Sequence, residues 1–324
     1  MESVNSKYGI LSGAVICDYY DNNSLKACVL KEKNILSTKY GDLVPEFEFI
    51  DARIKDTYSV SFYQDGALEK ISLSKQTIIP TSIGNLPAEL ITFYQSGNIM
   101  RLFPLNGKLS AYWSETDEFT LAKKLEFDLK FNKIQTLITN ISFYEDCNIK
   151  SIALWSGEKL NLNTPLGMQA VRQGFSLHPN GSMKSFEPLN PMIIGTPIGA
   201  IEAFDYSDKF LFKDDKSIAF DQNQKLKSMN TSSNKITVID KKNNLEVSFS
   251  PDINKNILDN DDFIKPLHIT FEDEFVIFNK TVKFKISDYN FEIETIKKIP
   301  KNIKDVPLNC GTCNTGAITF ASLE

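Results

Sequence analysis

Arginine is almost missing from this chain: of 36 basic residues only Arg53, Arg101 and Arg172 carry a guanidinium. Bidentate phosphate recognition draws on arginine, so the shortage counts against phosphate ligands. Basic charge is not in excess either. With 41 Asp+Glu the formal net charge is −5, which argues against the basic footprint of a general nucleic-acid binder and gives no charge-based reason for contact with a membrane surface. Histidine is limited to His178 and His268. There is no G-x-S-x-G, no H-E-x-x-H, no Walker loop and no EF-hand loop, so enzymatic chemistry has little to stand on. Five cysteines are too few and too odd for a secreted disulfide scaffold. No apolar run approaches the length of a spanning helix, and the first twenty residues lack the basic start of a signal peptide. The expected location is therefore cytoplasmic, with no transmembrane segment.

What the chain does have is repetition. Six segments share an aromatic pair, a polar turn, then an apolar residue: YYDNNSLKAC (19–28), FYQDGALEKI (62–71), FYQSGNIMRL (93–102), FYEDCNIKSI (143–152), LHPNGSMKSF (177–186) and FDQNQKLKSM (220–229). The first apolar residues after the turns, Leu25, Leu68, Ile99, Ile149, Met183 and Leu226, are 43, 31, 50, 34 and 43 residues apart. Asp65-Gly66, Ser96-Gly97, Asn180-Gly181 and Asn22-Asn23 suit a two-residue type I′ turn, with Asp146-Cys147 and Asn223-Gln224 as poorer versions. Counting outward from such a turn sets Tyr144 against Ile149, Phe143 against Lys150, Ser142 against Ser151 and Ile141 against Ile152. Period-2 alternation then buries Ile141, Phe143 and Ile152 on one face and leaves Tyr144, Ser142 and Ser151 half wet on the other.

A second element follows about 13 residues later: Thr38-Lys-Tyr-Gly41, Thr81-Ser-Ile-Gly84, Thr164-Pro-Leu-Gly167 and Thr196-Pro-Ile-Gly199, each a tight turn closed by a glycine. The fold expected is all-β, an extended antiparallel meander of repeated hairpins over 1–250. A short helix is expected within 116–124, a polar loop over 251–266, a β segment over 251–296, and a linker with a Cys-x-x-Cys tail over 297–324.

The F-Y-x-x-G-x-[LI]-K-S units, interleaved with segments such as Asn106-Gly107-Lys108-Leu109-Ser110-Ala111-Tyr112-Trp113, resemble MORN-type repeats, particularly the bacterial variant, over roughly residues 17–230. The resemblance implies a sheet of stacked hairpins used for protein or membrane-surface contacts. The longer spacing and the Thr-x-x-Gly turns depart from that family's motif.

The candidate surface is the column Tyr20, Tyr63, Tyr94 and Tyr144, continued by His178. Stacked rings bind partners or glycans, or else pack between neighbouring copies. Arg101, Trp113, Glu115, Asp117, Glu118 and Arg172 gather the rarer and more charged types near the irregular stretch, where a sugar or a cation could bind; a solvated acidic loop is the plainer reading. Cys17 and Cys28 count as cross-strand neighbours, expected to be reduced core residues and a hydrogen-bonded pair. Cys310 and Cys313 have metal-knuckle or redox spacing. No cofactor is expected; the alternative is zinc on Cys310 and Cys313, completed by Cys17 and Cys28. The favoured function is a non-enzymatic scaffold binding a protein partner. Its rivals are a metal- or thiol-dependent protein working through the tail and a carbohydrate-binding or carbohydrate-active β protein.

Overall fold

A computed structural model describes residues 2–48, 58–107, 113–206, 216–255 and 262–296, and these are nearly all β. They divide into two compact units, Met1–Pro191 with Phe210–Met229, and Met192–Lys209 with Asn230–Glu324.

The first unit is built from the six repeated hairpins. Their strands are Gly9–Tyr19 with Leu25–Leu30, Val60–Phe62 with Leu68–Thr81, Gly84–Phe93 with Ile99–Phe103, Ile138–Phe143 with Ile149–Leu154, Gly167–Leu177 with Met183–Pro188, and Ile218–Phe220 with Leu226–Thr231. The second strand of each pairs antiparallel with the first strand of the next, giving one continuous meander. A single register row can be followed through it: Cys17, Cys28, Val60, Ile71, Ile91, Leu102, Ile141, Ile152, Phe175, Phe186, Ile218 and Met229. From Cys28 onward every residue of this row is at most 1% exposed, so the row is the core. Each large apolar side chain in it stabilises the fold by roughly 1.5–3 kcal/mol.

The turns differ from the expected type. Tyr20 N–H donates to the Ser24 carbonyl and Asn23 N–H to the Tyr20 carbonyl, and the same pair of bonds recurs at Tyr63, Tyr94, Tyr144, His178 and Asp221. The loop is therefore three residues long, and only its last residue takes a positive φ: Asn23, Gly66, Gly97, Cys147, Gly181 and Gln224, between +62° and +80°. This is a turn followed by one left-handed residue, in which the Asn or Asp accepts from the backbone two residues on, as Asp65 does from Ala67 at 3.0 Å. Pairing begins one residue off the expected count, with Phe143 opposite Ile149. A bulge at the next step restores it, so Ser142 faces Ser151 and Ile141 faces Ile152 as expected.

Covering hairpins carry the Thr-x-x-Gly turns. In each, the Thr hydroxyl donates to the Gly carbonyl, at 2.9 Å for Thr38, 2.7 Å for Thr81, 2.8 Å for Thr164 and 2.7 Å for Thr196. Ser6-Lys7-Tyr8-Gly9 is a further copy that the Thr pattern does not find, with the Ser6 bond at 2.7 Å. In two of these turns the third residue is an aromatic that lies over one of the core face, with Tyr8 on Phe62 at 6.0 Å and Tyr40 on Phe93 at 6.1 Å between ring centroids.

The one α-helix among the described residues is Glu115–Leu121, started by a capping box in which Ser114 and Asp117 exchange bonds. In the second unit, Met192–Thr196 pairs with Gly199–Ala203, and Asn234–Asp240 lies between Glu246–Phe249 and Tyr289–Thr295. Leu267–Glu272, Phe275–Phe278 and Val282–Lys285 form a meander. Its core holds Phe249 stacked on Phe278 at 4.4 Å, with Phe284 edge-on to both. The polar loop expected over 251–266 is corrected: Asp252–Lys255 and Asp262–Lys265 pair as a hairpin.

Candidate functional site

The tyrosine column is a ladder of hydrogen bonds. Tyr20 donates its hydroxyl to the Phe62 carbonyl at 3.0 Å, Tyr63 to Phe93 at 2.7 Å, Tyr94 to Phe143 at 2.9 Å and Tyr144 to Leu177 at 2.8 Å. Each acceptor is the residue before the next rung. His178 continues the series, its Nε2 lying 3.1 Å from the Phe220 carbonyl. A carbonyl only accepts, so this nitrogen carries the proton. Burial raises the Tyr20 and Tyr63 phenols above the usual range, with nearby Glu69 adding to the shift. The turns are stitched as well: Ser24 Oγ donates to the Gln64 carbonyl, Gln95 Nε2 to Asp65 and Asn98 Nδ2 to the Glu145 carbonyl.

Behind the core row runs a second register row on the other face: Asp18, Ala27, Ser61, Lys70, Thr92, Arg101, Ser142, Ser151, Ser176, Ser185, Ala219 and Ser228. The expectation that this face is half wet fails in the middle of the sheet. Ser142, Ser151, Ser176 and Ser185 are 2%, 6%, 0% and 0% exposed. Buried hydroxyls need partners, and here Arg101 Nε donates to Ser142 Oγ at 2.8 Å while Ser176 and Ser185 share a bond of 2.6 Å. Burial lowers the Lys70 ammonium below its usual range, partly opposed by Glu69. The Thr92 hydroxyl is buried with no hydrogen-bond partner among the described residues.

The remaining candidates have separate structural settings. Trp113 Nε1 donates to the buried Glu118 carboxylate at 2.8 Å across the helix start, while Glu115 is exposed. Arg172 lies 3.5 Å from Glu187, whose carboxylate also accepts from Ser217 N–H and Oγ at 2.9 Å each. In the second unit, His268 Nδ1 is 2.8 Å from Asn230 Oδ1 and its Nε2 is 3.2 Å from Thr270.

Cys17 and Cys28 are direct cross-strand neighbours on one face, both free thiols. Their pairing class differs from the expected one. The Cys28 carbonyl accepts from Ser59 N–H on the next strand, so the Cys28 backbone groups point away from Cys17 and the two form a non-hydrogen-bonded pair. Such pairs bring Cα atoms to about 4.5 Å. Burial, and then the proximity of Cys17, pushes the Cys28 thiol up to about 12. Cys310 and Cys313 lie outside the described residues. Among the described residues no group of three His, Cys, Asp or Glu is placed to hold a metal ion, and no helix is long and apolar enough to cross a membrane.

A cavity of about 530 Å³ lies beside the first hairpin, lined by Glu2, Lys7, Tyr19, Leu25, Phe62 and Asp65 among others. Comparisons with protein-family models, with curated proteins and with solved structures give no match to this chain.

Proposed function

We propose that this chain is a non-enzymatic interaction protein that presents a rigid repeat sheet to a protein partner, in keeping with its likeness to MORN-type repeats. The observation that carries this reading is the phenol ladder. The recurring polar side chains that could converge on a reaction centre bond instead from one copy to the next. Preorganised surfaces bind without the cost of ordering loops, and rigidity is what these bonds supply.

The test is reciprocal co-purification of the tagged full chain at native expression level, followed by measurement of stoichiometry, bound metal and glycan binding. A protein partner recovered near one-to-one from either tag is expected. Stoichiometric zinc that disappears in Cys310→Ser/Cys313→Ser would move the function to the tail. Saturable glycan binding in place of a protein partner would move it to the carbohydrate class.

A further inference from the structure

Position for position, Cys17 in the first hairpin matches Val60, Ile91, Ile141, Phe175 and Ile218, and Tyr19 matches Phe62, Phe93, Phe143, Leu177 and Phe220. The five matches of Cys17 are all 0% exposed and those of Tyr19 are 1–3% exposed. Tyr19 itself is 50% exposed, Ile16 is 54% exposed and Cys17 is half-buried. The sheet pairing explains the contrast. Ala14 pairs with Leu30 on one side and Glu2 on the other. Beyond Ala14, no described strand lies on the Glu2 side of Ile16–Tyr19. Because Cys17 and Cys28 are a non-hydrogen-bonded pair, the N–H and C=O of Cys17 point to that open side, as do those of Tyr19 two residues on. The Tyr19 carbonyl also stands where the Phe62 carbonyl takes the Tyr20 hydroxyl.

We propose that the open edge Ile16–Tyr19 docks an extended strand of a partner protein, pairing antiparallel and continuing the row of hairpins. This deepens the interaction reading and rests on it, but uses the sheet edge rather than a face. The internal junctions specify the occupant. On this side each later hairpin receives a strand with apolar residues three apart: Leu25 and Cys28, Leu68 and Ile71, Ile99 and Leu102, Ile149 and Ile152, Met183 and Phe186. All five strands carry a basic residue between the two: Lys26, Lys70, Arg101, Lys150 and Lys184. The open edge carries the exposed acids Asp18 and Glu2, so an apolar–basic–apolar strand is matched in charge as well as register. An aromatic residue of the partner has the neighbouring cavity to fill, bounded by Tyr19, Leu25 and Phe62. Strand addition of this kind draws affinity from main-chain bonds and specificity from the alternate side chains.

The probe is a fluorescein-labelled synthetic peptide copying Asn148–Leu154, offered to the full chain, with a control peptide N-methylated at Ile152, the residue that falls opposite Cys17 and whose N–H would bond the edge. Saturable binding of the first peptide only is expected, together with at least about tenfold slower alkylation of Cys17 but not of Cys147 in mapped digests. Tyr19→Lys should weaken binding by about tenfold or more. Asp18→Lys, at an exposed position, gives the same test should Tyr19→Lys fail to fold. Equal binding of both peptides, no protection of Cys17, or unchanged affinity in folded variants overturns the proposal. Cys17 protected without peptide, in a dimer that Tyr19→Lys dissociates, overturns the assignment in favour of a second copy. If the peptide fails while the full chain still captures its partner one-to-one, the edge is refuted and the interaction reading stands.

Discussion

Replacing Tyr63 by Phe removes one hydroxyl and keeps the ring. The lost bond, 2.7 Å to the Phe93 carbonyl, has a net worth of about 0.5–1.5 kcal/mol. The carbonyl left behind belongs to a residue only 2% exposed, so water is a poor substitute and the desolvation penalty of roughly 1–3 kcal/mol is partly incurred. A loss of about 1–2 kcal/mol is the expected balance. Tyr144→Phe removes the equivalent rung two hairpins along, 2.8 Å to the Leu177 carbonyl, and should cost a similar amount. The two rungs share no partner, so the double variant should be additive within about 0.5 kcal/mol. Thermal melting reports about 2–4 °C for each kcal/mol in a domain of 150–250 residues. Hydrogen exchange on the segment 84–103 locates the effect, and the second unit should be unchanged. A Tyr63→Phe protein within about 0.3 kcal/mol of the parent, with exchange over 84–103 unaltered, refutes the ladder as a stabilising device and returns the tyrosines to the list of free binding groups.

Two further outcomes are expected. Gly174→Ala should be severely destabilising, by at least about 3 kcal/mol, because φ is +117° and the new Cβ would sit 2.1 Å from the Ile152 carbonyl oxygen; Gly97→Ala, at φ +80° with nothing within 4 Å, should cost about 1 kcal/mol. Denaturation of both variants checks the contrast, and equal losses would defeat it. Cys28 should resist thiol reagents at pH 8 while Cys17 reacts, since its thiol is raised from 9.0 to about 12. A raised folded value means that the contribution to stability is whole below pH 9 and is lost as pH climbs toward 12, a slope that Cys28→Val should make shallower, the buried phenols supplying the rest; the same slope in both proteins would contradict it.

The hairpins were readable because Asn/Asp-Gly punctuation and alternating apolar residues are both local. Turn length was not, since Asn-Gly serves a two-residue turn and the end of a three-residue one equally well. The expected pairing of Cys17 with Cys28 holds although the loop is one residue longer than the sequence suggests, because the bulge beyond Leu25 offsets it. The bonding class of the pair, which that bulge changes, is not legible in the sequence. Ser6–Gly9 falls outside the Thr-x-x-Gly pattern because serine replaces threonine with the same hydroxyl geometry. The strands at 252–255 and 262–265 are hidden by polar composition. The tyrosines form a column visible in the sequence, but the carbonyls they reach lie 30 to 49 residues away and depend on inter-copy register. Serine's small side chain likewise gives no sign that Ser176 and Ser185 are shut away from water.

The three-residue turn and the bulge beside it act as a matched pair of offsets. Every hairpin leaves its own turn one residue out of step and is back in step at the next pair but one. Phase is thus reset inside each copy instead of being carried along the chain. Segments between copies can lengthen or shorten without reversing inside and outside, which is why spacings of 31 and of 50 residues coexist in one sheet. A one-residue deletion within the turn is a different matter. It would break the compensation and rotate a whole strand, core row and serine row together, to the opposite side.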